Sequence, residues 1–313
     1  MGVGGQLTCR NRADGAEVWT VDTSHKYGVV QNFFGVGCSP LVLGDLVIVM
    51  VGGSPAADQN LARLDRVSPN GSAVVAFNRN DGTEKWKCGD DLASYSSPRT
   101  IEIGGEKIVL VFARDNLLAI DPKSGEVRWK FRHRADMLES VNAMVPVVDR
   151  DRVFISECYA VGSVLLRAGL DSAEVIWQDP PRSRREQAMR VHWSTPALVD
   201  GFLYGCSGRN APDSDFRCIE LATGKVQWTD GRRIRASVTP IGDHLLVFEE
   251  RGFLQVIKAN PEKMEVVNEW NLQNAADGRP ELAYPCWAAP IVVGDKVLLR
   301  GDEHVLCLKV ETH

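Results

Sequence analysis

The stretch Ser194-Thr-Pro-Ala-Leu-Val-Asp-Gly-Phe-Leu-Tyr-Gly-Cys206, followed after a loop by Phe216-Arg-Cys-Ile-Glu-Leu-Ala-Thr-Gly-Lys-Val-Gln-Trp228, decides the fold. It reads as four short strands: Ser194 to Val199 (A), Phe202 to Cys206 (B), Phe216 to Leu221 (C) and one beginning at Val226 (D). Asp200-Gly201 turns A into B, and Ala222-Thr-Gly-Lys225 turns C into D with glycine where a positive φ is needed. Short strands punctuated by turns about every ten residues indicate an all-β chain. The same unit recurs. Prolines 40, 98, 146, 196, 240 and 290 each open an A strand, at spacings of 58, 48, 50, 44 and 50 residues. A fixed period in this range signals a solenoid or a propeller.

A second pattern interleaves with the first. Each D strand carries a tryptophan soon after its turn: Trp19, Trp86, Trp129, Trp177, Trp228 and Trp270. Recurrence at this regularity is a packing requirement, so these six indoles are expected to fill the space between neighbouring sheets, each needing an acceptor for its N–H. The chain opens with a C and a D strand (Gly5 to Trp19) and ends with A, B and C strands (Pro290 to Val310). The expected architecture is a β-propeller of four-stranded antiparallel blades, six to seven in number, closed by the N- and C-terminal strands. Closure removes exposed sheet edges. Residues 1–313 read as a single propeller domain. The redundant C strand leaves the alternative that a further blade precedes it. No segment has a helical period, and residues 181–190 read as a basic loop.

The composition excludes several classes. Net charge is −5, against a nucleic-acid binder, which needs a basic face. No run approaches the roughly 18 apolar residues of a membrane-spanning helix. The start, Met1-Gly-Val-Gly-Gly-Gln6, has neither a basic nor an apolar leader region. Eight cysteines are too few for a disulfide scaffold. Cys9, Cys158, Cys206, Cys218 and Cys307 read as small buried hydrophobes, with Cys206 and Cys218 also placed to pair across a hairpin. No C-x-x-C, H-E-x-x-H, phosphate-binding loop, dinucleotide fingerprint or G-x-S-x-G occurs.

Asp121-Pro-Lys-Ser-Gly-Glu-Val-Arg-Trp129 and Leu221-Ala-Thr-Gly-Lys-Val-Gln-Trp228 resemble the repeat of pyrroloquinoline-quinone-type β-propellers. That group holds quinoprotein alcohol dehydrogenases and the outer-membrane assembly lipoprotein propeller. Val29 to Gly35, Ala93 to Pro98, Leu138 to Asn142 and Tyr204 to Arg209 are similar to a bacterial, planctomycete-like subgroup of such proteins. The resemblance implies an exported or periplasmic setting. It implies a quinone cofactor only where adjacent cysteines and a longer chain are present. This sequence has no adjacent cysteine pair, so quinone binding is not expected.

Strand order sends the D-to-A and B-to-C connections to one face. Before the A strands come Asn32, Tyr95, Glu139, Asn142, His192, Trp193 and Trp287; after the B strands come Arg114, Glu157, Tyr159, Arg209, Glu250 and Arg300. These side chains are expected to meet at the channel face as a ligand site, beneath a long loop, Gly52 to Asn70, that serves as a lid. Three arginines and two free indoles suit a small anionic molecule or a protein partner. The alternative is a calcium-assisted hydrolase of the lactonase or esterase type. Glu157, Asn142 and Glu139 would supply metal oxygens, and His192 or Glu157 would act as base. A quinone-dependent dehydrogenase is the third reading. Each candidate also has a structural reading, with the arginines pairing to Glu157 and Glu250. The expected assembly state is a monomer.

Overall fold

The computed structural model describes residues 1–61, 63–231, 235–273 and 281–310. The chain divides into two compact units, Met1–Ile176 and Trp177–His313. Among the described residues the strands form seven sheets. The first pairs β1 (Gln6–Arg10) with β2 (Glu17–Asp22). Then come β3 (Leu41–Leu43), β4 (Leu46–Met50), β5 (Val74–Asn78) and β6 (Glu84–Cys88). The next sheet is β7 (Arg99–Ile103), β8 (Glu106–Phe112), β9 (Asn116–Ile120) and β10 (Val127–Arg132). It is followed by β11 (Val147–Asp149), β12 (Arg152–Glu157), β13 (Gly162–Ala168) and β14 (Ala173–Gln178). The fifth is β15 (Ala197–Val199), β16 (Phe202–Ser207), β17 (Asp215–Glu220) and β18 (Val226–Asp230). The sixth is β19 (Ala236–Ile241), β20 (His244–Glu249), β21 (Phe253–Lys258) and β22 (Glu265–Asn271). The last holds three strands, β23 (Ile291–Val293), β24 (Lys296–Arg300) and β25 (Val305–Lys309). The four-stranded sheets run A-B-C-D in chain order, as the repeat requires.

Local chemistry explains this regularity. The first residue of every A-to-B turn has positive φ, from 48° at Asp200 to 60° at Gly294, and four of the six are glycine. The B and C strands carry the core: β4 and β5 (Val-Ile-Val-Met and Val-Val-Ala-Phe) are almost wholly buried, whereas β6 is mostly exposed. The tryptophans act as anticipated at five positions. Trp19 donates to Arg79 O at 2.9 Å, Trp86 to Pro122 O at 2.9 Å and Trp129 to Gly169 O at 3.0 Å. Trp177 donates to Leu221 O at 2.9 Å and Trp228 to Asn260 O at 2.8 Å. Every acceptor lies at the C-to-D connection of the following sheet, so each indole ties one sheet to the next. A glycine of that turn makes room for the ring. A Cβ on Gly82 would stand 2.7 Å from Trp19, one on Gly125 2.7 Å from Trp86, and one on Gly224 3.0 Å from Trp177.

Trp270 departs from the pattern. In four other hairpins a bulge accompanies the tryptophan, which faces a small residue: Cys9, Ala76, Ala119 or Cys218. In the β21–β22 hairpin the corresponding register position is Asn268, opposite Val256, and Trp270 lies two residues on, opposite Leu254, and 43% exposed. The bulge recurs here, but Trp270 stands two residues beyond the position it defines, which takes this indole out of the expected packing set. A short helix joins the strands, and two cysteine expectations are corrected. Asp22 caps a short helix, α1 (Thr23–Tyr27), accepting from His25 N at 2.9 Å, and Gly28 ends it in the left-handed region. All eight cysteines are free thiols. Cys206 faces Phe216 and Cys218 faces Tyr204, so register separates the two, while Cys307 is exposed rather than buried.

Candidate functional site

The proposed residues fall into two groups, one in each unit, and most polar members are fastened to backbone. In the first unit Asn142 is fully buried. Its Nδ2 donates to Ala113 O, Arg114 O and His133 O at 3.0–3.1 Å, and its own carbonyl accepts from Tyr95 N at 3.1 Å. One amide thus knits the β8–β9 turn to the segment after β10. Tyr95 accepts Phe34 N on its hydroxyl at 3.0 Å, and the two rings lie 5.8 Å apart. Asn32 accepts Phe33 N at 2.9 Å. Glu157, also fully buried, accepts Ser140 Oγ at 3.0 Å and Tyr159 N at 2.9 Å. Glu139 is exposed. Among the described residues no three His, Cys, Asp or Glu side chains gather as metal ligands. Glu157 and the Asn142 Nδ2 group are spent on loop structure, Asn142 Oδ1 is buried without a hydrogen-bond partner, and Glu139 is exposed rather than gathered with them.

Burial pushes the Glu157 carboxyl up to about 7, against the pull of the Ser140 and Tyr159 hydrogen bonds and the Arg134 charge. A carboxyl raised in the folded state favours the protonated form. Its contribution is therefore fully present below the unfolded value and is lost as pH rises from about 4.5 through about 7. A glutamine side chain at this position would keep an acceptor for Tyr159 N and a donor for Ser140 Oγ. Glu157→Gln is expected to match the parent near pH 5 and to exceed its stability by about 2–3 kcal/mol at pH 8. Urea unfolding at the two pH values measures the difference. Equal curves at both would show that the carboxylate stays ionised when folded.

The first unit holds a cavity of about 540 Å³. The long loop makes one wall with Leu64 and Val67, which pack with Leu92 and Leu138. That loop is fastened by Asn70 Nδ2 donating to Tyr27 O and Ser54 O at 2.9 and 3.0 Å. The other wall holds Arg114, Asp115, Arg132 and Arg134. Asp115 pairs with Arg134 at 3.1 Å and Arg132 at 3.5 Å, and Arg63 pairs with Asp65 at 2.6 Å. Arg114 is different. It is 4% exposed, its Nη2 has only a 3.5 Å contact to Leu138 O, and its Nη1 has no hydrogen-bond partner. Burial, then the nearby Arg134 charge, lowers it to about 10, so it remains a cation at neutral pH. An unpaired buried donor of this kind costs about 1–3 kcal/mol. Asp91, buried beside it, accepts Leu92 N, Asp115 N, Asn116 N and Asn116 Nδ2, and burial raises it to about 6.

In the second unit Glu250 organises the group. It accepts Arg235 Nη2 at 2.7 Å and Trp287 Nε1 at 3.1 Å, and its carbonyl accepts Cys286 N at 2.8 Å. Ser237 Oγ donates to Trp287 O at 3.2 Å. The Trp287 indole is thus held by a buried carboxylate while remaining 49% exposed, with Tyr284 edge-on at 6.1 Å. Trp287 and exposed Arg300 line a cavity of about 220 Å³. Trp193 is half-buried and Arg209 exposed. His192 is half-buried as well and is depressed to about 4, first by desolvation and then by Arg209 and Arg235, which leaves it a weak base at neutral pH. The anticipated pairings of Arg114, Arg209 and Arg300 with Glu157 and Glu250 give way, at Glu250, to Arg235. At Glu157 the neighbouring charge is Arg134. Arg134, Asp91 and Arg235 lie outside the sequence-derived set, although Cys88-Gly-Asp-Asp91 and Arg132-His-Arg134 carry unusual charge for D-to-A connections.

Sheets of this strand order, tied by recurrent tryptophans, define a β-propeller built from pyrroloquinoline-quinone-like repeats. The chain belongs to the family described as outer membrane protein assembly factor BamB, whose model matches residues 1–230. Among solved structures, BamB from Moraxella catarrhalis is similar with a TM-score of 0.66 at 14% identity, covering 99% of this chain and 78% of that one. A europium-containing methanol dehydrogenase gives 0.62 at 12% identity, covering 95% and 69%. A quinohemoprotein alcohol dehydrogenase from Comamonas testosteroni gives 0.56 at 12% identity, covering 95% and 60%. At these identities the likeness is one of fold. No curated protein matches the chain in sequence.

Proposed function

We propose that the protein is a binding scaffold that seats a protein partner on Tyr284, Trp287 and Arg300 of the second unit. The observation that carries this reading is the Trp287 indole, half in solvent yet fixed through its N–H by buried Glu250. An exposed ring held by a buried charge has already lost its rotamer freedom, so docking on it costs little ordering entropy. Tryptophan, tyrosine and arginine are also the side chains that dominate binding energy at protein interfaces. The family description, an outer membrane protein assembly factor, agrees with a protein rather than a metabolite as the partner. A photo-crosslinking residue at Tyr284, introduced in cells, is expected to trap a protein adduct. Trp287→Ala combined with Arg300→Glu is expected to reduce that adduct at least tenfold while the melting temperature moves little. An adduct undiminished in the double variant would reject this surface.

A further inference from the structure

We propose that the cavity of the first unit is a second, separate binding site, for a small monocarboxylate with an apolar body, its carboxylate taken by Arg114. The cavity, about 540 Å³, is in the range of small-molecule pockets, roughly 300–1,000 Å³. Arg114 is the cation in its lining that makes no ion pair among the described residues, although the Asp115 and Asp91 charges act on it. Arg63 is matched by Asp65, and Arg132 and Arg134 share Asp115, with Arg132 also at 3.4 Å from Asp136. No carboxylate stands within ion-pair distance of Arg114 among the described residues, although the guanidinium is almost wholly buried. Its backbone is clamped, with Arg114 N donating to Leu92 O at 3.0 Å and Arg114 O accepting from Asn142. The side chain is therefore presented by a fixed support rather than a mobile tip.

Two features select the ligand class. Arg114 Nη1 is a buried donor without an acceptor, and the five carboxylates of the lining (Asp65, Asp90, Asp91, Asp115 and Asp136) against its four arginines disfavour any ligand charge above one, a phosphate dianion included. The guanidinium's hydrogen-bond contact is the carbonyl of Leu138, whose side chain packs with Leu64, Val67 and Leu92. An entering carboxylate exchanges that long 3.5 Å contact for a charge-assisted N–H···O bond to Nη2, and places its carbon chain on the leucine wall.

Hexanoate is the probe, with hexanol and inorganic phosphate as controls. Isothermal titration is expected to show one hexanoate per chain, bound at least tenfold more tightly than either control. Arg114→Met, which keeps the stem and removes the charge, is expected to lose at least tenfold in hexanoate affinity and to melt no lower than the parent, since it removes a buried cation that makes no ion pair. Should the methionine variant misfold, the arginine ¹⁵Nη resonances of the unaltered protein still decide the matter, because hexanoate is expected to shift those of Arg114. The proposal fails if hexanol or phosphate binds as well as hexanoate, if no heat develops up to about 10 mM ligand, or if the Arg114 resonances do not move.

Discussion

Gly125→Ala is expected to destabilise the protein by about 3 kcal/mol or more. Gly125 has φ of 77°, where a side chain costs about 1–2 kcal/mol. The added methyl would also lie 2.7 Å from Trp86 Cδ2, so the indole must move. Moving it breaks the 2.9 Å bond to Pro122 O and loosens the contact between two sheets. The second contribution depends on the ring being present. In a Trp86→Ala background, the cost of Gly125→Ala is therefore expected to fall to the backbone part alone, about 1–2 kcal/mol. Urea unfolding of the two single variants and the double variant gives the coupling directly. Additive losses would mean that the ring gives way freely and that the indole does not lock the sheets.

This lock explains why so much of the fold is legible. Proline at an A strand, a turn residue with positive φ and a tryptophan after a glycine turn are local constraints, and each can be read within a few residues of itself. The strands of the 194–228 unit fall within two residues of the expected bounds, except that Ser194 to Pro196 precede β15. Trp270 shows where local reading stops. Its place depends on a bulge between Val256 and Ile257, which is a property of paired strands and not of one strand.

The candidate site was less legible for a related reason. Irregular polar residues in the D-to-A and B-to-C connections read as ligand groups because nothing in the repeat requires them. The structure requires them. Long connections packed against a core bury carbonyls and N–H groups that must find partners, and Asn142, Glu157, Asp91 and Glu250 supply these. Arg114, whose Nη1 has no hydrogen-bond partner, and the half-exposed ring of Trp287 are not used up in this way, and the two proposed sites are built on them. Composition identified both residue types, but only the hydrogen-bond pattern separates the fastened from the unspent.

Asn142→Asp tests that separation most severely. Nδ2 of Asn142 faces three carbonyl oxygens at 3.0–3.1 Å in a fully buried position. Replacing the amide by a carboxylate sets negative charge against three acceptors, with no water to relieve it. A loss of about 3–5 kcal/mol at pH 7 is expected, the range for an uncompensated buried charge. The new carboxyl would be held protonated by its surroundings, so its folded value rises above the unfolded one. Stability is then regained as pH falls, because the protonated acid can donate one of the lost bonds. Urea unfolding at pH 7 and pH 4.5 should show the deficit, relative to the parent, shrinking at the lower pH. Arg114 adds a second readout: with its carbonyl released from Asn142, the β8–β9 turn no longer fixes the guanidinium, and hexanoate affinity should fall even where the variant stays folded. If Asn142 were chiefly a ligand group, the substitution would leave unfolding unchanged at both pH values and affect binding alone.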